Sequence, residues 1–494
     1  MNPKYQSTWN SLRAHPIPQW FHDAKFGIYT HWGVYCVPGF GPNGSWYPYF
    51  MYQPGTKQYE HHVKTYGGPE KFGYKEFIPE LTGEKFDADE WAEIFKGAGA
   101  QYAGPVGEHH DGFAMWDSAF TEWNARQMGP KRDIVGELEQ AIRKQNMRFM
   151  VALHHAENYW FFPHWVSEYD ASDPIYAGLY GEAHERIGEP YEHTDPDDTW
   201  PHDFFVQFVK LKPSKSFLER WQNKTCEVID KYHPDLLWFD FGLKGIHDRY
   251  KREMLAYYYN QAERWKREVL VTYKMHDLVP GTGLIDLEQR AFDRLTYQFW
   301  VTDTTVDDGT GWGYLHNQKY REVSTVIHEL VNNVSKNGHM LLNVGPKPNG
   351  ELPEEAKLIL AEMGKWLEVN GEAIYGTTPW LIFGEGPSIE DSSRVFPSRE
   401  KDVPSEFTSQ DIRFTAKGDT LYAICLGLPT SEVKIESCYG LYPGEIKKVT
   451  MLGVEEPLQW TLGDGGLQVA PPAGLPGEHA VTLKIERRHP FGEE

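Results

Sequence analysis

Short apolar runs, most of them closed by a polar or ionisable residue, recur along the first three-quarters of the chain. They cover residues 26–30 before His31, 101–106 before Glu108-His109-His110, 148–153 before His154-His155, and 236–239 before Asp240. Four more cover 269–272 before Tyr273-Lys274, 283–287 before Glu288, 297–301 before Thr302-Asp303, and 339–342 before Asn343. Their β-branched and aromatic content predicts buried strands. Between several of them the apolar positions recur at helical spacing, over 87–100, 133–146, 217–233, 250–266, 319–336 and 353–370. Acidic residues open the first of these helices, Pro353 suits a first helical turn, and Gly371 lies just past the last.

About eight buried strands alternating with helices predict an α/β fold, an irregular (β/α)8-type barrel. The irregularity is expected between residues 269 and 301, where three strands leave little room for helices. In such a barrel the strand C-termini converge on one face, so the polar residues that close the runs meet at a single mouth. After about Trp380 the texture changes. Residues 384–410 are rich in Gly, Pro, Ser and charge and read as linker. Alternating strands follow at 411–415, 420–426, 433–437, 447–452, 458–462 and 480–486, with turns at Lys417-Gly418-Asp419 and Gly463-Asp464-Gly465-Gly466. The expected organisation is a catalytic barrel over 1–380, then linker and C-terminal β-sandwich over 381–494.

Composition narrows the function. The aromatic fraction is 15%, with 18 Trp, which is more than a core needs and suits a site that packs rings on sugar C–H faces. The formal net charge of -22 repels nucleic acid and anionic lipid, and no basic stripe offsets it. Neither partner is expected, although a homo-oligomer is compatible with the sequence. No run approaches the roughly 18 apolar residues of a membrane span. The polar N-terminus lacks the apolar segment of a leader, which predicts a cytoplasmic protein as the sequence stands, or an exported one if a leader has been removed. Cys36, Cys226, Cys425 and Cys438 are scattered and read as free thiols, with only Cys425 and Cys438 near enough in sequence to suggest a bridge.

Two carboxylates at strand ends, Asp240 and Glu288, suit glycoside cleavage. One attacks the anomeric carbon, and the other protonates the leaving oxygen and then activates water. His31, His109, His110 and His154 can each donate and accept hydrogen bonds to sugar hydroxyls. The same histidines motivate a second reading, a barrel metallohydrolase. No H-x-H pair supports it, and alternation along a strand would send adjacent His109 and His110 to opposite faces. A third reading is a sugar-binding protein without catalysis.

The motif Lys25-Phe-Gly-Ile-Tyr-Thr-His-Trp-Gly33, followed by Val34-Tyr-Cys-Val-Pro38, resembles the opening signature of glycoside hydrolase family 29, the α-L-fucosidases. Glu108-His-His-Asp-Gly-Phe113 with Gly129-Pro-Lys-Arg-Asp133 is similar to its second signature. Val334-Ser-Lys-Asn-Gly338, Leu341-Leu-Asn-Val-Gly-Pro346 and Asn370-Gly-Glu-Ala-Ile-Tyr375 resemble its closing motifs. The resemblance implies a barrel with a β-sandwich, retaining hydrolysis of α-L-fucosyl links in fucosylated oligosaccharides or glycoconjugates, and no metal or other cofactor. It implies Asp240 as nucleophile, Glu288 as the acid/base of one subgroup, and His31, Trp46, His109, His110, His154, Trp238 and Lys274 as sugar-binding residues. Three departures stand out. Ser45 occupies a position where many members carry Glu, His155 one where Arg is expected, and Gln289-Arg290 one where Arg-Gly is common.

Overall fold

The computed structural model describes residues 3–186, 210, 212–309, 311–389, 407–442 and 444–488. Eight parallel strands close into a barrel in chain order. They are β1 (Phe26–Thr30), β2 (Tyr102–Glu108), β3 (Arg148–Leu153), β4 (Leu236–Phe239), β5 (Leu270–Lys274), β6 (Leu284–Asp286), β7 (Trp300–Thr305) and β8 (Gly338–Val344). The longer helices that flank them are α1 (Ala88–Gly97), α2 (Ile134–Lys144), α3 (Lys215–Tyr232), α4 (Asp248–Trp265), α5 (Val323–Ser335) and α6 (Glu354–Asn370). Side chains cap four of these helices: Asp87 accepts from the Glu90 amide, Asp133 from Gly136, Ser214 from Phe217 and His247 from Arg249. Pro353 sits one residue earlier than expected, at the cap of α6 rather than inside it. No helix separates β5 from β6 or β6 from β7, so the barrel is irregular where the short sequence spacing requires it.

Two strands run further than their apolar content predicts. β7 continues through Thr302, Asp303 and Thr304, and β8 through Asn343. All four side chains are buried. The Thr302 and Thr304 hydroxyls donate outward, to the Arg290 carbonyl and to Glu329 on α5, while Asp303 and Asn343 find partners within the barrel, so polar residues extend these strands instead of ending them. The inward-facing residues include Tyr29, Met150, Ala152, Leu236, Trp238, Leu270, Leu284, Val301 and Leu341. With a strand period of two, His31, His154, Asp240, Lys274, Asp286, Glu288, Asp303 and Asn343 stay in phase with that set. This phase carries the polar residues into the mouth.

β2 is the exception. Its register against β3 shifts between Val106 and Glu108, and such an irregularity changes which side chains face inward. Glu108 accordingly reaches away from the mouth to Lys224 on α3, with Nζ 2.5 Å from Oε1 and both side chains buried. Its Oε2 has no hydrogen-bond partner. Lys224→Met is expected to lower stability by about 3–5 kcal/mol, because it strands a buried carboxylate. A double variant that also carries Glu108→Gln should recover much of the loss, and thermal unfolding of the two variants checks this.

The C-terminal region has a five-stranded antiparallel sheet in the order β13-β16-β11-β10-β9 and a three-stranded one in the order β12-β15-β14. The strands are β9 (Thr378–Glu385), β10 (Ile412–Lys417), β11 (Thr420–Cys425), β12 (Val433–Ile435), β13 (Ile446–Met451), β14 (Trp460–Gly463), β15 (Gly466–Val469) and β16 (Val481–Arg487). Alternation divides the larger sheet. Ile412, Phe414, Leu421, Ala423, Val481 and Leu483 pack against Val433, Ile435, Leu467 and Val469 of the smaller sheet. Tyr422 and Ile424 face the other way and join the core of the barrel. The Tyr422 hydroxyl donates to Glu372 at 2.7 Å, and the Trp366 indole donates to the Ala480 carbonyl at 2.9 Å. β9 and β15 are strands that the sequence pattern hides. β9 is an edge strand with Leu381 81% exposed, so it lacks alternation, and β15 follows directly on a glycine-rich turn. Of the segment read as linker, residues 390–406 lie outside the described residues. All four cysteines are free. No helix among the described residues is long and apolar enough to cross a membrane.

Candidate active site

Nine residues singled out in the sequence gather at the C-terminal mouth of the barrel: His31, Trp46, His109, His110, His154, Trp238, Asp240, Lys274 and Glu288. His31 follows β1, and its Nδ1 lies 2.8 Å from Asn343 Oδ1, which also accepts from the His31 amide at 3.0 Å. The Asn343 amide nitrogen donates to the Trp312 carbonyl at 2.7 Å. That contact fixes which way the amide points, and so makes His31 Nδ1 a donor. His154 follows β3, and its Nδ1 is 3.0 Å from Asp240 Oδ2. A proton on this nitrogen leaves His154 Nε2 as an acceptor, and that atom is buried without a partner. His109 Nδ1 is likewise unpartnered. Two ring nitrogens therefore await donors or acceptors from an occupant of the mouth.

His109 and His110 do not point to opposite faces. β2 ends at Glu108, so strand alternation no longer governs them, and their rings lie 4.3 Å apart. His110 Nδ1 donates to the His154 carbonyl at 3.1 Å, and its Nε2 lies 3.5 Å from Asp240 Oδ2. Burial holds all four histidines below the usual imidazole range, with His31 and His110 at about 4 and His109 and His154 well below that range. They are neutral at physiological pH.

Aromatic rings wall the mouth. Trp46, in the loop after β1, lies 4.9 Å from His110 and 5.1 Å from Phe161, and Trp238 lies 5.2 Å from His154. Trp312 adds a ring 5.3 Å from His31.

Lys274, on β5, is buried at the centre of the acidic residues. Its Nζ lies 2.5 Å from Asp286 Oδ1, 2.5 Å from Asp303 Oδ1 and 3.6 Å from Glu288 Oε2. Burial raises the Asp240 carboxyl above its ordinary range, against the pull of Lys274 and His110. Glu288 is pushed up to about 7, first by burial and then by the charges of Asp303 and Asp240, with Lys274 opposing. Its side chain keeps 32% of its surface open, whereas Asp240 keeps 13%. One carboxylate is thus deep and hydrogen-bonded, and the other stands at the rim, poised to gain or lose a proton near neutrality.

Several residues of the mouth escaped sequence reasoning in their roles. Asp286 lies two residues before Glu288 in a strand, hence on the same face, and this spacing was the available signal. Asp303 and Asn343 closed predicted strands without being assigned a partner. Glu157 is buried with Oε2 3.1 Å from His110 Nδ1, although the pair is not aligned as a hydrogen bond and both carboxylate oxygens lack one. Burial and the charge of Asp240 hold Glu157 well above the usual range, which makes it a neutral acid beneath the histidines.

Two of the three sequence departures fall outside this cluster. His155 points away from the mouth, with Nε2 3.3 Å from the Trp221 carbonyl on α3. Gln289 adopts φ 48°, a left-handed turn that redirects the chain just after Glu288. Ser45 is buried next to Trp46 with its hydroxyl unpartnered.

The histidines also bring their ring nitrogens together: His31, His109 and His154 offer atoms all within 4.8 Å of one another, and so do His110, His154 and Asp240. The rings of His109 and His154 stack with an interplanar angle of 26°. A metal ligand directs its lone pair within the ring plane, so the stacked rings of the first set do not converge on one ion, and in the second set His154 Nδ1 already pairs with Asp240. Hydroxyl partners spread over a sugar fit this arrangement better.

The pattern that defines the alpha-L-fucosidase family matches residues 1–372, and that of the alpha-L-fucosidase C-terminal domain matches residues 405–486. The chain is 32% identical to tissue alpha-L-fucosidase of Bos taurus over 500 residues, covering 98% of this chain and 91% of that protein. It is 31% identical to the Homo sapiens counterpart, over 98% and 92% of the two chains. Among solved structures, Thermotoga maritima alpha-fucosidase in complex with fucose superposes with a TM-score of 0.75 at 29% identity, covering 97% of this chain and 100% of the other.

Proposed function

The chain belongs to the α-L-fucosidase family, and from that premise we propose that it hydrolyses terminal α-L-fucosyl links of oligosaccharides or glycoconjugates with retention of configuration. The observation that carries this reading is the pair of unlike carboxyls, Asp240 and Glu288, both within the field of the Lys274 ammonium at a mouth walled by tryptophan and neutral histidine.

In this reading Asp240 attacks C1 of the fucosyl residue as Glu288 gives its proton to the leaving oxygen. A covalent fucosyl-enzyme ester results. Glu288, now ionised, takes a proton from water as the water attacks C1, and Asp240 leaves. His154 Nδ1 holds the attacking carboxylate in place, 3.0 Å away. The free ring nitrogens of His154 and His109 are placed to bond sugar hydroxyls. Filling the mouth expels water and strengthens each of these contacts.

The pH dependence follows from the two carboxyls. The free enzyme needs Glu288 protonated, so kcat/KM is expected to fall as pH rises through about 7. On the acid side kcat/KM falls once Asp240 is protonated, and this happens above the ordinary carboxylate range because burial raises it. A pH–rate profile with 4-nitrophenyl α-L-fucoside checks both limbs. The same substrate tests the function itself. Turnover in EDTA, with α-L-fucose as the first anomer seen by NMR, is the expected result. Activity lost in EDTA and regained with zinc would favour the metallohydrolase, and fucose binding without hydrolysis would favour a binding protein.

A further inference from the structure

One lysine faces two fully buried carboxyls at the base of the mouth. Lys274, Asp286 and Asp303 are 1%, 2% and 2% exposed, and the ammonium is 2.5 Å from an oxygen of each aspartate. The second oxygen of Asp286 accepts from the Trp238 indole at 3.0 Å, and that of Asp303 from the Tyr29 hydroxyl at 3.1 Å. No other cation forms an ion pair with either aspartate among the described residues. The charged and titratable groups around the trio are Tyr29 on β1, Tyr102 on β2, Asp240 after β4, Glu288 after β6, and His31 and His154, both held neutral by burial. None of these adds positive charge.

Two ionised carboxylates sharing one ammonium at this depth would leave an uncompensated buried negative charge, with two further carboxyls close by. A shared proton removes that penalty, since like charges held this close do not both ionise. We propose that Asp286 and Asp303 hold one proton between them, so that the trio with Lys274 is electrically neutral and positions Lys274 without making the floor of the mouth acidic.

The directions of titration agree. Burial and the neighbouring Asp303 hold Asp286 well above the carboxylate range, whereas Asp303 lies below it because Lys274 and hydrogen bonds from Asp286 and Tyr29 outweigh its burial. A coupled pair titrates as a unit, so the inference needs one proton on the pair and not its assignment to either aspartate. Both aspartates are positioning residues. They act on Glu288 through the charge they leave on Lys274, and this part of the inference rests on Glu288 as the acid/base.

Charge counting gives the test. In the parent, Lys274 contributes one positive charge and the dyad one negative. In Asp286→Asn the remaining Asp303 is ionised and keeps that balance, and in Asp303→Asn the remaining Asp286 does the same. Either single amide variant should leave the alkaline limb of kcat/KM where it is. The double variant leaves Lys274 unbalanced, and the limb should move to lower pH by about one unit or more. If both aspartates were ionised, each single variant would already move the limb downward, and that result would overturn the proposal. A second measurement needs no variant to fold and no role for Glu288. Infrared spectra of the parent labelled with carbon-13 at its aspartate carboxyls, taken at about pH 9, should retain the C=O stretch of one protonated aspartate. Absence of that band would refute the shared proton whatever the enzyme hydrolyses.

Discussion

With glycine in place of Asp240, turnover of 4-nitrophenyl α-L-fucoside is expected to fall by on the order of 10⁴-fold or more, the scale of losing the nucleophile from a catalytic unit. The fold should survive, because Asp240 lies just beyond β4 and its partners are the two mouth histidines rather than the core. Glycine also opens space on the attacking face of the sugar. Added azide can enter there and displace nitrophenolate directly, and a single displacement at an α-linked carbon gives β-L-fucosyl azide. Formate should act similarly by standing in for the missing carboxylate. The product is identified by NMR. Turnover within about tenfold of the parent, a loss of about 1.4 kcal/mol, would remove Asp240 from the covalent role.

Much of this site was legible because a parallel barrel turns sequence into geometry by simple rules. A polar residue that ends an apolar run lands at the mouth, and the period of two decides whether it faces inward. Those rules placed His31, His154, Asp240, Lys274 and Glu288. They failed where the chain leaves the strand pattern. The register shift in β2 sends Glu108 to Lys224, and the turn after it brings His109 and His110 together, so alternation mispredicted both. They also failed where polar residues belong to the strand itself. Asp303 and Asn343 close apolar runs, yet they lie inside β7 and β8, because side chains at other strands bond them there, Tyr29 and Lys274 for Asp303, His31 and Thr305 for Asn343. The pairing of Lys274 with Asp303 and of His31 with Asn343 could not be read from sequence, since strands far apart in the chain supply these partners. In the C-terminal sheets the same limit appears at β9, where an exposed edge removes the alternation that marks a half-buried strand.

Glu288→Ala should behave differently from the Asp240 variant, and the contrast carries the argument for two distinct roles. Nitrophenolate leaves without much help from a proton, so the first displacement by Asp240 survives. The second step loses the base that activates water and becomes rate-limiting. Fucosyl-enzyme then accumulates, and both kcat and KM for the nitrophenyl substrate should fall together. For a natural sugar leaving group, which needs the proton, the loss should be larger, about 10²–10⁴-fold. Azide needs no general base. It should restore turnover of the nitrophenyl substrate by attacking the intermediate on the face opposite Asp240, and two successive displacements give α-L-fucosyl azide. The opposite anomers from the two variants are the decisive observation, because a rim carboxylate that only binds substrate would not produce them. The alkaline limb near pH 7 should also vanish from the Glu288 variant, since the group that titrates there is gone. A variant that kept that limb, or gave the β-azide, would move the acid/base role to another carboxyl of the mouth, with Glu157 the first to examine.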